Sequence, residues 1–113
     1  MAVEPSKEAI AYGETHYPNV HFLNATADDM NKFGDESFDV VIVGFVFYVI
    51  KRRLLLKSIS EIDRVLKDKG YLIIMDFFTE TTVKKTMSTL MSFQLILLRR
   101  IMMKFLRLRI CII

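Results

Sequence analysis

An almost unbroken apolar run at residues 38–47 constrains the fold of this chain more than any other feature. The run is rich in β-branched valine and has no polar face, so it does not suit a surface helix. A strand that is covered on both faces, as in the middle of a parallel sheet, accounts for this pattern. Because parallel strands need crossover connections, the run predicts an α/β fold.

Two shorter segments are predicted to lie in the same sheet. Residues 20–23 alternate in character, and residues 71–75 are apolar and β-favouring. Residues 53–66 change to a helical period between the last two strands. The apolar stripe of this helix consists of Leu55, Ile59, Ile62 and Leu66, with Lys57, Glu61, Arg64 and Lys67 mostly opposite. We expect residues 20–23, 40–47 and 71–75 in one parallel sheet, with the helix packed on one face.

Capping and turn residues predict where the helices begin and end. An extended segment at residues 2–3 precedes Ser6, which can cap a first helix. Either Gly13 or the Tyr17-Pro18 pair would end that helix. Gly70 follows the second helix, and we expect it to be the left-handed residue that ends it.

Composition excludes several classes of protein. With 113 residues, of which 52% are hydrophobic and 26% charged, the chain suits one small globular domain. Its single cysteine, Cys111, excludes an internal disulfide and a cysteine-based zinc cluster. Neither His16 nor His21 has a partner at metal-ligand spacing, and no nucleophile–base pair stands out. We therefore predict no metal site and no catalytic side chain.

Nothing in the sequence predicts secretion or membrane insertion. The N-terminus has no basic region followed by a long apolar segment. No uncharged apolar stretch reaches the ~18 residues that suggest a spanning helix. The expected location is the cytoplasm.

The charges divide the chain into two parts. Residues 1–80 hold 9 Lys/Arg and all 13 Asp/Glu, whereas residues 81–113 hold 7 Lys/Arg and no acid. The basic balance of the whole chain, +3, therefore comes from the tail alone. We expect a partial α/β domain at residues 1–80 and a basic, amphipathic helical tail at 81–113.

The tail is predicted to form one continuous helix over residues 86–108. It lacks Pro and Gly, is dominated by Leu and Met, and separates apolar from basic residues on a helical wheel. Its apolar face can pack on the sheet or lie on an anionic membrane surface, to which the basic face would be attracted. Nucleic acid is not an expected partner, because exposed aromatic residues are not interleaved with the basic ones.

Polar or small residues follow the predicted strands and are the candidate site. Glu4 can accept hydrogen bonds from the two hydroxyls of a ribose, or it is an ordinary surface glutamate. Asp28 can accept from an exocyclic amine and the Ala27 amide can donate to a ring nitrogen, although Asp28 can equally cap a turn. Gly44 either allows close approach of a ligand or relieves crowding in the strand.

Four segments together resemble the class I S-adenosylmethionine-dependent methyltransferases. They are Val3-Glu4-Pro5-Ser6 and residues 19–30, 37–41 and 61–74, in the order and spacing of that family. The resemblance covers about residues 2–78. It implies an incomplete Rossmann-like, doubly wound parallel sheet, followed here by the amphipathic helix.

The resemblance also implies a cofactor and roles for individual residues. S-adenosylmethionine would be bound, with Glu4 on the ribose and Ala27 and its neighbours against the adenine. Gly44 and Phe45 would lie near the methionine portion and the methyl acceptor. Thr26 stands where the family often has an acid on the adenine amine, so that contact is weakened or moves to Asp28.

A second departure from the family concerns the start of the chain. The glycine-rich loop that follows the first strand of the family is absent from the sequence. We therefore expect this chain to hold S-adenosylmethionine weakly or not at all and to be inactive by itself. An open sheet position at the missing first strand would also favour self-association.

Two functions follow from these observations. The first is transfer of a methyl group from S-adenosylmethionine to a small-molecule acceptor, a reaction in which positioning can replace an acid or base. The alternative is a non-enzymatic remnant that binds a partner or a membrane surface through its basic C-terminal helix.

Overall fold

The structure, a computed structural model, describes residues 1–77, the main chain of 93–99, and residues 109–113. Its elements are β1 (Ala2–Val3), α1 (Lys7–His16), β2 (Phe22–Leu23), β3 (Phe38–Gly44), α2 (Arg52–Val65), β4 (Leu66–Phe77), β5 (Phe93–Arg99) and β6 (Ile110–Ile112). Helices connect β1 to β2 and β3 to β4 along the first two thirds of the chain. The predicted α/β class is therefore confirmed.

The described strands form one sheet in the order β2-β1-β6-β3-β4-β5. Every neighbouring pair from β2 to β4 is parallel, and β5 runs antiparallel to β4. The predicted parallel arrangement of the strands at residues 20–23, 40–47 and 71–75 is confirmed. Their observed bounds differ, since β2 and β3 end up shorter than predicted and β4 much longer.

A strand from the end of the sequence lies in the centre of the sheet. Doubly wound folds place their strands in the order 3-2-1-4-5. In this sheet β2 and β1 occupy positions 3 and 2, and β3 and β4 occupy positions 4 and 5. The strand between these two pairs, at position 1, is β6. Its register pairs Ile110 with Val40 and Cys111 with Val41. The sequence predicted an open position here, and that expectation is wrong because β6 fills it.

The predicted continuous helix over residues 86–108 is wrong at residues 93–99, which form β5. This strand pairs with seven consecutive residues of β4, from Tyr71 opposite Arg99 to Phe77 opposite Phe93. Helix propensity is a weak preference, and the unpaired main chain along β4 offers a full ladder of hydrogen bonds instead. The remaining parts of the predicted helix, residues 86–92 and 100–108, lie outside the described residues.

The core forms where α2 covers the middle of the sheet. Val41 and Val43 of β3 are fully buried with Ile62 and Val65 of α2, and Cys111 of β6 joins them. Burial also raises the pKa of the Cys111 thiol to about 11. The predicted packing of this helix on one face of the sheet is confirmed.

The packed stripe of α2 differs from the prediction at two positions, the first being its end, where Leu66 lies in β4 and Val65 is the buried residue. Ile59 is 46% exposed, while Ser58 is fully buried. The Ser58 hydroxyl donates a hydrogen bond to the Leu54 carbonyl at 3.0 Å, which satisfies it inside the helix. A small residue whose hydroxyl is bonded within the helix therefore lies closer to the sheet than the larger Ile59.

The junction between α2 and β4 corrects the role given to Gly70. The left-handed residue is Lys69, with φ 63°, and Gly70 lies buried within β4. A Cβ atom at Gly70 would lie only 2.9 Å from the carbonyl oxygens of Asp39 and Lys67. Close approach of the main chain, and not a positive φ, therefore requires glycine here.

The first helix begins and packs as its sequence suggests. The Ala9 amide donates to the Ser6 hydroxyl at 3.2 Å, so the predicted N-cap is confirmed. The helix ends at His16, with Tyr17 as its C-cap. Gly13 is buried in the helix, and a Cβ there would overlap the Phe22 ring. This contact sets how closely α1 lies against β2.

Candidate functional site

The carboxyl ends of β1, β2 and β3 lie along one edge of the sheet, since these strands are parallel. Glu4 follows β1, Thr26 lies three residues beyond β2, and Gly44 is the last residue of β3. Ligands of doubly wound folds bind outside this edge, where the order of the strands reverses. All five predicted site residues follow or end these strands.

Glu4 divides its carboxylate between structure and solvent. Its main-chain amide donates to the Leu23 carbonyl at 3.0 Å, and its Oε1 accepts from the Ser6 amide at 2.8 Å. Among the described residues no other donor contacts this half-buried carboxylate. One oxygen thus holds the start of α1 and the other is available to a ligand hydroxyl.

Asn24 connects the two strand ends, a role that the sequence did not reveal. Its Nδ2 donates to the carbonyl of Glu4 at 3.1 Å and to that of Pro5 at 2.8 Å. Through these two bonds the segment after β2 is held against the segment after β1. A polar residue directly after a short strand was the only available signal, and it is too common to be diagnostic.

The predicted adenine segment forms a compact turn. The Asp29 amide donates to the Thr26 carbonyl at 3.0 Å, with Ala27 buried inside the turn. The Asp28 carboxylate is partly buried and lies 4.0 Å from Lys57 Nζ, which is mostly exposed. This distant ion pair contributes little by itself.

A cleft of about 330 Å³ opens between the segments that follow β1 and β2. It is lined by Pro5, Asn24, Ala25, Thr26, Asp29, Asn31 and Lys32. Of the predicted site residues only Thr26 lines it, while Glu4 adjoins it through Pro5. The polar side chains of Asn31 and Lys32 were missed by the sequence analysis, because nothing in their spacing marks them.

The end of β3 is shaped by Phe45 more than by Gly44. A Cβ at Gly44 would lie 3.4 Å from Met75 Cε and would thus be tolerated. Phe45 adopts φ 56°, donates its amide to the Met75 carbonyl at 2.7 Å and is 38% exposed. Its ring lies 5.2 Å from that of Phe77. An aromatic surface therefore adjoins the site at this end.

Two charged residues of α2 hold the segment that follows the turn. Arg64 bonds both carboxylate oxygens of Glu61, through Nε at 2.8 Å and Nη2 at 2.9 Å. The Met30 amide donates to Glu61 Oε2 at 2.9 Å. The hydrogen bond from Arg64 holds the pKa of the Glu61 carboxyl below its usual value. The sequence placed both residues mostly opposite the packed stripe and did not anticipate this contact.

A second charged link joins three strands at the opposite edge of the sheet. Asp39 Oδ1 accepts from Lys67 Nζ at 2.8 Å, and its Oδ2 accepts from the Arg109 amide at 2.8 Å. The Lys67 hydrogen bond, with that of the Arg109 amide, lowers the pKa of the Asp39 carboxyl. The link holds the starts of β3, β4 and β6 together and is remote from the site.

Residues 1–77, 93–99 and 109–113 lack the features of a metal site and of a membrane span. In these ranges no three His, Cys, Asp or Glu side chains come together as a metal site would require. No helix there has the length and apolar character needed to cross a bilayer.

Comparison with known proteins defines the family. The sequence model of the methyltransferase domain family matches residues 1–74, so the chain belongs to that family. It shares 29% identity with a SAM-dependent methyltransferase of Thermotoga maritima, at a TM-score of 0.57 over 65% of this chain and 33% of that one. No curated protein sequence matches significantly.

Two other solved structures have the same fold. The YcgJ protein of Bacillus subtilis is 28% identical, with a TM-score of 0.57 over 67% of this chain and 33% of its own. A protein of Pyrococcus horikoshii OT3 is 27% identical, with a TM-score of 0.59 over 68% and 38%. The chain thus spans about a third of the length of these relatives. The predicted resemblance and the Rossmann-like fold are confirmed.

The described residues fit the nucleoside half of S-adenosylmethionine, the cofactor of this family. The free oxygen of Glu4 suits a ribose hydroxyl, and the cleft bordered by Thr26 suits a planar base. When bound, the cofactor would supply an electrophilic methyl group.

Proposed function

We propose that this chain belongs to an S-adenosylmethionine-dependent methyltransferase acting on a small-molecule acceptor. The observation that carries the proposal is the half-buried Glu4 carboxylate, which keeps one oxygen available at the carboxyl end of β1 beside the cleft. In this proposal Glu4 binds the ribose hydroxyls. The turn at residues 26–29 faces the adenine, with Thr26, Ala27 and Asp28 as its contacts.

The acceptor would lie beyond the end of β3, beside Gly44 and the exposed part of Phe45. The aromatic rings of Phe45 and Phe77, tilted by 51° to each other at the strand ends, support a small organic acceptor, because aromatic faces bind planar or cationic groups well. The protein would act mainly by holding acceptor and methyl donor in line. This agrees with the prediction that no side chain serves as acid or base.

The proposed alternative, binding through a basic helix over residues 86–108, has lost its main support. Residues 93–99 pair with β4 as a strand, so the continuous amphipathic face that the alternative required does not form. Binding of the cofactor by this chain alone stays a prediction: the sequence predicts weak binding or none, and the proposal requires weak binding.

Titration with S-adenosylhomocysteine, the form of the cofactor that remains after its methyl group has been transferred, tests the proposal. We expect detectable, weak binding to the wild-type chain and at least a tenfold loss in Glu4→Ala, because charge-assisted bonds to the ribose are removed. Glu8→Ala is the matched control, since Glu8 is an exposed carboxylate in the first turn of α1. Equal affinities of the two variants would contradict the role of Glu4.

A further inference from the structure

The pair formed by Glu61 and Arg64 bonds main-chain groups far from it in sequence. Arg64 Nη2 donates to the Met30 carbonyl at 3.1 Å, while Glu61 Oε2 accepts from the Met30 amide at 2.9 Å. Both polar main-chain groups of Met30 are thus held by one ion pair. The Met30 side chain is fully buried as well.

The same arginine also fixes the residues beyond Met30. Its Nη1 donates to the Phe33 carbonyl at 2.9 Å and to Asp35 Oδ1 at 2.9 Å. The guanidinium of Arg64, 28% exposed, therefore bonds four groups in a fixed planar arrangement. A lysine could supply the charge here but not this geometry.

This anchoring bears on the proposed adenine turn, because Met30 directly follows it. The turn runs from Thr26 to Asp29, and these two residues pair across it as an isolated antiparallel bridge, with the Asp29 amide donating to the Thr26 carbonyl at 3.0 Å. Asn24 holds its entrance through the carbonyls of Glu4 and Pro5. The ion pair of α2 holds its exit at Met30.

We infer that Glu61 and Arg64 are positioning residues for adenine recognition, an inference that rests on the proposed function. By fixing Met30, they hold the Ala27 amide and the Asp28 carboxylate at the spacing from each other that a ring nitrogen and the exocyclic amine of adenine require. Neither residue contacts the base. Their effect is on how well the turn distinguishes adenine from hypoxanthine, whose ring carries a carbonyl in place of the amine.

A residue that only stabilises the fold would lower stability without changing this discrimination. Lys67 supplies the matched control, because it forms a comparable ion pair with Asp39 at 2.8 Å, at the starts of β3 and β4 and not at the strand ends where the turn lies. Lys67→Ala removes an ion pair of the same framework but leaves Met30 untouched. Glu61→Gln keeps an acceptor for the Met30 amide and removes the charge.

The test is a titration of the 113-residue chain with adenosine and, separately, with inosine. Binding is monitored by NMR at ligand concentrations up to the millimolar range. We expect the wild type and Lys67→Ala to prefer adenosine by about tenfold, as two hydrogen bonds to the base edge imply. In Arg64→Lys the preference is expected to fall to about threefold or less, through weaker adenosine binding and unchanged inosine binding. Should Arg64→Lys fail to fold, Glu61→Gln provides the same comparison.

The possible results separate the two proposals. An adenosine preference that stays unchanged in Arg64→Lys and Glu61→Gln overturns the positioning role and leaves the methyltransferase proposal standing. A wild-type chain that binds neither nucleoside overturns both. A fall in preference that also occurs in Lys67→Ala shows a general effect of stability and overturns the positioning role.

Discussion

The framework of this molecule and its candidate site are built differently. The framework consists of α2 and the long strands β3 and β4, of seven and twelve residues, which pair in register over most of β3. The site lies beside β1 and β2, which have two residues each. Main-chain ladders thus support the framework, whereas side chains such as Asn24 and Arg64 hold the site.

The difference teaches where mutations should act on stability and where on binding. A strand of two residues contributes few ladder hydrogen bonds and little buried area, so its position depends on the contacts that surround it. Changes within the framework should therefore lower the free energy of unfolding. Substitutions beside β1 and β2 should lower the affinity for ligands more than the free energy of unfolding, because those segments can rearrange without unfolding the sheet.

The largest expected effect is that of Gly70→Ala in the framework. The new Cβ would lie 2.9 Å from two carbonyl oxygens of the main chain, which cannot move without disturbing β3 and β4. We expect a loss of about 3 kcal/mol in the free energy of unfolding, measured by urea denaturation. Gly44→Ala is the control, since its Cβ would lie 3.4 Å from the flexible end of Met75 and 4.0 Å from the Ile113 carbonyl oxygen. Similar losses in the two variants would contradict this account of β4.

A smaller effect is expected from acid on the link between Asp39 and Lys67. The folded-state pKa of Asp39 is lowered, so its contribution to stability is present above the unfolded value, about 3.9, and is lost as pH falls through the folded value. Both side chains are partly exposed, and the contribution is expected to be below about 1 kcal/mol. The free energy of unfolding, measured by urea denaturation at several values between pH 3 and 7, should depend less steeply on pH in Asp39→Asn than in the wild type. An unchanged dependence on pH would contradict the link.

Much of the framework could be predicted from the sequence, because its periodicities are long and unambiguous. The apolar run at residues 38–47 and the helical stripe predicted to end at Leu66 both correspond to buried elements, although the helix itself ends at Val65. Prediction failed where pairing over long distances decides the structure. The tail has a helical pattern, yet the unpaired edge of β4 makes residues 93–99 a strand, and no local signal marks β6 as a central strand.

The site was predicted only in part, for a related reason. Glu4 and Thr26 were proposed because they follow strands and occupy positions that a known family uses, and their ligand contacts stay predictions. Asn24 and Arg64 act through main-chain groups that are distant in sequence, and such partners are not visible in a spacing pattern. Gly44 was given weight for its residue type, although the structure tolerates a Cβ there.

The central claim is that a nucleoside binds beside the ends of β1 and β2. It is tested most directly by mapping the amide chemical-shift changes that S-adenosylhomocysteine causes in the isotope-labelled chain. The account predicts changes concentrated at Glu4, Ser6 and residues 24–32, with the amides of α2 that face away from this edge unaffected. Changes centred elsewhere on the described sheet, or no changes at millimolar ligand, would contradict it.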